Sequence, residues 1–266
     1  MRVLDHHILE EAMSLSLAAG LQLAILEGRV ADSARAHMYT KEGNMIVAEQ
    51  KSLEEIKQLV SPFNRVLVLG CGTCVTVCFA GGEKEVSVLA SSLRMATRLD
   101  GKEVEFLEAT VQRQCEYEYN ETVTELLPQV DAVLSIACGI GVQTMNEQFP
   151  EILTLPGLNT TFLGQPIEQG VWEERCQACG NCVLGTTGGI CPIARCSKSL
   201  LNGPCGGSQN GVCEVDPDTP CAWQLIYDRM AALGKLDLLL ELNEMKDWGT
   251  SRDGGARKIV REDLLL

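Results

Sequence analysis

Arg65-Val-Leu-Val-Leu-Gly70-Cys71-Gly72 is a short apolar run that stops abruptly at a Gly-Cys-Gly turn. Such a run, bounded by a turn signal, reads as a strand buried on both faces. The pattern recurs after it. Val86-Ser-Val-Leu-Ala90, Val104-Glu-Phe-Leu-Glu108 and Ala132-Val-Leu-Ser-Ile-Ala137 read as further strands, and residues 153–155 as a short fifth. Helical segments fit at residues 54–60, 93–99 and 121–127. Strands alternating with helices imply a parallel sheet covered on both faces. The expected fold class is therefore α/β, with a flavodoxin- or Rossmann-like parallel sheet over residues 45–170.

Cysteines stand where these strands end. Cys71 closes the first, Cys138 follows the last long one, and Cys115 lies just beyond the third. Ligands of open α/β sheets bind outside the carboxyl ends of the strands, so the three loops can converge on one site. If the chain is helical from Gly72, then Cys71, Cys74 and Cys78 fall on one helix face. Cys71, Cys74, Cys115 and Cys138, with Cys78 as a substitute, are the candidate ligands for a cluster or a zinc ion. The competing reading is a set of core cysteines, which behave as small hydrophobes; it weighs most for Cys78. Gly70-Cys-Gly72 and Gly139-Ile-Gly141 lack the third glycine of a dinucleotide fingerprint, which argues against a bound dinucleotide.

Further along, eight of the thirteen cysteines fall within 46 residues, as Cys176-x2-Cys179-x2-Cys182-x8-Cys191-x4-Cys196-x8-Cys205-x7-Cys213-x7-Cys221. Few bulky apolar residues accompany them, so bound thiolates must supply what a hydrophobic core does not. An acidic start without a signal-peptide pattern, and an odd cysteine total, argue against disulfides and for a cytoplasmic setting. The opening C-x-x-C-x-x-C and the Cys191-Pro192 pair resemble a bacterial ferredoxin run, although an x8 gap replaces the usual x3. Zinc more often uses two separated C-x-x-C knuckles. The three histidines, His6, His7 and His37, lie far upstream, so any zinc here is all-cysteine. Eight thiols make two four-thiolate sites, with iron–sulfur favoured over zinc. Their division between the sites cannot be read from their order.

The remaining composition narrows the function. A formal net charge of −14 argues against nucleic acid and anionic membranes as partners. No Ser/His/Asp set, nucleophile elbow or P-loop occurs, so no catalytic residue is assigned. Residues 4–35 have helical spacing, and Met45-Ile-Val-Ala itself looks like a protein start, which makes residues 1–44 a helical N-terminal extension outside the main unit. Residues 171–223 form the cysteine-rich region. Residues 224–266 form a C-terminal helix (through 245) and a docking tail that packs on this fold or on a partner.

Several blocks carry a family resemblance: Cys176-Gln-Ala-Cys179-Gly-Asn-Cys182, Gly189-Ile-Cys191-Pro-Ile-Ala-Arg195-Cys196, Leu201-Asn-Gly-Pro-Cys205-Gly-Gly, Cys213-Glu-Val and Pro220-Cys221-Ala-Trp223. Together they resemble the methylenetetrahydrofolate reductase C-terminal domain family. Leu69-Gly-Cys-Gly-Thr-Cys74 and Ala137-Cys-Gly139 are similar to the rest of its small subunit in acetogenic bacteria, so the resemblance runs from about Met45 onwards. It implies two [4Fe–4S] clusters on the eight clustered cysteines, with a further cluster or zinc at the strand ends. It also implies a TIM-barrel partner subunit that carries the flavin (FMN) and the folate, and a ferredoxin-like or NAD(P)H-linked donor module. The chain would then relay electrons to that flavin for reduction of methylene- to methyl-tetrahydrofolate. The alternative is a zinc-stapled scaffold without redox work.

Overall fold

The computed structural model describes residues 46–265. The expectations for residues 1–44, and the three histidines, lie outside this range. Two sheets organise the chain. The first is parallel and built from β2 (Arg65–Cys71), β3 (Glu105–Val111), β4 (Ala132–Ile136) and β5 (Leu153–Pro156), in the order β3-β2-β4-β5. This is the flavodoxin-type order over four strands, in which the chain reverses direction beside β2.

Alternation along β2 serves both faces of the sheet. Val66 and Val68 pack into a core with α1 (Leu53–Val60) and α3 (Glu83–Leu99). Leu67 and Leu69 face the opposite way, towards Val123, Leu127 and the α5 helix (Gly139–Gln148), whose Met145 is fully buried. Full burial of each such leucine contributes about 1.5–3 kcal/mol. The β2 run is accordingly buried at every position from Val66 to Cys71.

The second sheet is antiparallel, in the order β1-β6-β7, with β1 (Val47–Gln50), β6 (Leu158–Glu168) and β7 (Val171–Cys176). Gly157 makes the transition between the sheets. A Cβ there would stand 2.7 Å from Ile136 Cγ2 and 3.1 Å from the Ser135 carbonyl. Its N–H donates to that carbonyl at 2.7 Å, and its own carbonyl accepts from Lys51 N–H at 3.0 Å. The second sheet is thereby tied to the first. Its last strand ends on Cys176, the first of the eight clustered cysteines.

Four expectations need correction. Residues 86–90 are helical, not a strand: Glu85 accepts from the Gly82 N–H at 2.9 Å and starts α3. Val86, Leu89, Ala90 and Leu93 then recur at helical spacing on the buried side. Residues 121–127 do not make one helix; α4 (Tyr117–Asn120) is followed by two single 3-10 turns, Glu121–Val123 and Leu127–Gln129, the second opened by Pro128. Cys71 belongs to β2, and α2 (Cys74–Val77) is a single turn, so Cys71, Cys74 and Cys78 do not share a helix face. Finally, α7 (Ala222–Ala232) stops at Gly234, whose positive φ of 64° favours glycine, and only a 3-10 turn, Leu236–Leu240, follows.

Among the described residues no helix is long and apolar enough to cross a membrane.

Candidate metal centre

β7 delivers Cys176 to the start of a tight loop. The Ala178 N–H donates to Cys176 Sγ at 3.3 Å, and Ala178 itself takes a positive φ of 50°. Gly180 follows with φ 81°, and a Cβ on it would lie 2.3 Å from the Thr250 carbonyl. Only glycine allows that approach. Cys176 and Cys182 are exposed and Cys179 half-buried. The sulfur of Cys191 caps the single-turn helix α6 (Pro192–Arg195) by accepting from the Ala194 N–H at 3.5 Å. That turn packs on β7, where Arg195 lies 3.6 Å from Glu173, an ion partner also of Arg175. Cys191 is thereby held on the strand that ends at Cys176.

Segment 246–257 lies over this loop. Lys246 Nζ donates to the Asn181 carbonyl at 2.9 Å, Thr250 Oγ1 to that of Cys179 at 3.0 Å, and Arg257 to that of Ala178 at 2.7 Å. Lys246 is buried, with Trp248 stacked 5.5 Å away. Part of the expected docking tail therefore packs on its own chain, whereas Leu240, Leu242, Met245 and Ile259 remain exposed.

Cys196, Cys205, Cys213 and Cys221 line a common small cavity, joined by Arg195, Lys198 and Glu214. A two-rung ladder joins the last two of these cysteines: Cys213 N–H donates to Thr219 at 2.9 Å, and Cys221 N–H to Gly211 at 2.8 Å. Cys213 Sγ lies 3.4 Å from Ser197 Oγ, and that contact, with the N–H groups of Val215 and Asp216, holds the thiol below its ordinary pKa. The small core beside them, built on Trp223, Ile226 and Met230, is pinned by Trp223 Nε1 donating to the Leu200 carbonyl at 2.9 Å.

At the sheet, Cys71, Cys115 and Cys138 stand at or just beyond the ends of the neighbouring strands β2, β3 and β4. Burial raises the Cys115 pKa, and so do the neighbouring Cys71 and Cys138 charges. Gln114 braces the three strand ends. Its amide donates to the Leu69 and Gly70 carbonyls at 3.0 Å each, and its oxygen accepts from Ser135 at 2.7 Å. Sequence reasoning missed this fully buried glutamine. Cys78 is a core residue: its thiol donates inwards to the Ala48 and Val75 carbonyls at 3.6 Å, and burial raises its pKa. Cys74 is half-buried beside it.

All thirteen thiols are free. Among the described residues, no three His, Cys, Asp or Glu side chains stand close enough to chelate an ion. The donor chemistry nevertheless fits a thiolate-bound group, with sulfurs that accept N–H bonds and cations gathered around their loops.

Residues 155–249 match the family model described as methylene-tetrahydrofolate reductase C terminal. Over that segment, about a third of the chain, the sequence is similar to the C-terminal domain of this family. The match contains all eight clustered cysteines, the four central cavity-lining ones included, and leaves the parallel sheet up to Thr154 outside it. Neither a curated protein nor a solved structure matches the chain. The matched segment begins within β5 and takes in the antiparallel hairpin that presents Cys176.

Proposed function

We propose that this chain is the iron–sulfur, electron-transferring subunit of a heteromeric methylenetetrahydrofolate reductase, acting beside a flavin-bearing TIM-barrel subunit. The observation that carries the reading is the Cys176–Cys182 loop, with its sulfur-directed N–H group, inside a segment matched to that reductase family. Cys176, Cys179, Cys182 and Cys191 are the set that would hold a cluster. When bound, such a group supplies one-electron transfer at a potential set by sulfur hydrogen bonds, charge and burial.

The chain's own residues do the positioning. β7 and α6 fix the first and last of the four cysteines, while side chains of segment 246–257 hold the carbonyls of the loop between them. Lys246 and Arg257 bring positive charge to a site whose thiolates are negative. Cys71, Cys115 and Cys138, at the point where the sheet reverses, are the candidate second station for a cluster or zinc.

The test is reconstitution without oxygen. The flavin-bearing partner is mixed with a low-potential ferredoxin-type donor, with and without this chain, and flavin bleaching is followed by stopped flow. The expected result is reduction at least tenfold faster with the chain present. Equal rates without it would refute the relay.

A further inference from the structure

We propose that Cys196, Cys205, Cys213 and Cys221 are the four ligands of a mononuclear tetrahedral site for one thiophilic divalent cation, zinc by its chemistry. The inference rests on reading the cysteine-rich region as metal-binding, and it replaces two like clusters with one cluster and one ion.

Size is the first argument. The cavity these four cysteines line is about 20 Å³, the room taken by about one water molecule. That volume is on the scale of one ion, whereas four irons with four bridging sulfides require the loops to part. Zinc–sulfur bonds of about 2.3 Å draw the thiols inwards, and they now stand wider than chelating distance.

Spacing is the second. The ligands of this set are separated by eight, seven and seven residues, and they come from four different local structures. Cys196 ends α6, Cys205 lies in the Gly203–Gly207 turn, Cys213 sits on the short ladder and Cys221 caps α7. One ion at their meeting point cross-links all four, where the hydrophobic core holds only Cys221, Trp223, Ile226 and Met230 as buried members. That is the work of a structural zinc. The set Cys176, Cys179, Cys182 and Cys191 has the contrary form, three ligands on one tight loop.

Charge is the third. Four thiolates around a divalent cation leave two negative charges, and Arg195 and Lys198 line the same cavity. Glu214 tethers Lys198 there through an ion pair. A Cβ on Gly207 would collide with that carboxylate at 2.1 Å, so the glycine admits the tether.

The full chain, produced without oxygen and supplied with both metals, provides the test. We expect about one zinc per chain and a zinc-edge X-ray absorption spectrum of four sulfurs at about 2.3 Å. Cys205→Ser and Cys213→Ser should each cut zinc by more than half and keep the iron and its visible absorption. Cys179→Ser should do the reverse. Should the variants fail to fold, cobalt(II) in the unaltered chain decides the matter. Tetrahedral thiolate bands support the site, and their absence overturns it. Iron without any sulfur-bound zinc, or iron lost with Cys205→Ser, overturns this inference and leaves the electron-transfer reading standing. Zinc without iron does the opposite.

Discussion

Gln114 shows how much a single side chain can organise. It is fully buried, and its three polar contacts reach β2 and the hydroxyl on β4. Its backbone carbonyl, in addition, accepts from Asn120 Nδ2 at 2.9 Å. Leucine at this position has similar bulk but strands two carbonyls and a serine hydroxyl in a dry interior. An unsatisfied buried group costs about 1–3 kcal/mol. Gln114→Leu is therefore expected to lower unfolding free energy by about 2–4 kcal/mol, read from urea midpoints at unchanged slope. A loss below half a kcal/mol, on the order expected of a surface change, would contradict the bracing role. Neither Gln114 nor Lys246 could be recognised from neighbouring residues. The groups they donate to are carbonyls 44 or more positions away, and carbonyls carry no sequence signature. The strand-end positions of Cys71, Cys115 and Cys138 were legible, because the apolar runs beside them give way to glycines or polar residues.

At the scale of elements, the start of β2 is fastened to the start of β4 by one carboxylate. Asp131 accepts from the Asn64 N–H at 2.8 Å and the Arg65 N–H at 2.9 Å, and its own N–H donates to the Arg65 carbonyl at 2.8 Å. The two N–H donors hold its pKa below the ordinary carboxylate value. A carboxylate with a depressed folded pKa stabilises the fold fully above its unfolded pKa of about 3.9. It gives that stability up as pH falls through the lower folded value. Asp131→Asn should thus be less stable than the parent at pH 7, with the gap shrinking below about pH 4. Urea midpoints measured across that range check it, and a gap that grows on acidification would reverse the assigned sign. The central strands β2 and β4 were legible as apolar runs because burial on both faces demands them; the edge strands β3 and β5 kept enough apolar residues to be read beside them. Residues 86–90 misled because β-branched content outweighed a helical period visible only with Leu93 included. The β6 strand was hidden by Gly164 and Pro166, which weaken a strand pattern; both sit at irregularities in its pairing with β7.

Across the whole molecule, segment 246–257 folds back onto the start of the cysteine-rich region. Three of its side chains take carbonyls from the loop between Cys176 and Cys182, the bonds spanning 65 to 79 positions in sequence. A loop with two left-handed residues so close together, at Ala178 and Gly180, has little regular structure to hold it, so these distant donors fix its shape. Their removal leaves carbonyls that water can satisfy, and the cost appears as local opening more than as global unfolding. A chain ending at Met245 is accordingly expected to keep the urea midpoint of the parallel sheet within about 0.5 kcal/mol. Its amides from Ala178 to Cys182 should exchange with deuterium at least tenfold faster than in the full chain. Mass spectrometry of the peptic fragments reads both the loop and the sheet in one experiment. Unchanged protection of the loop would mean that β7 and α6 alone hold it, and that the tail is only laid over a site already formed.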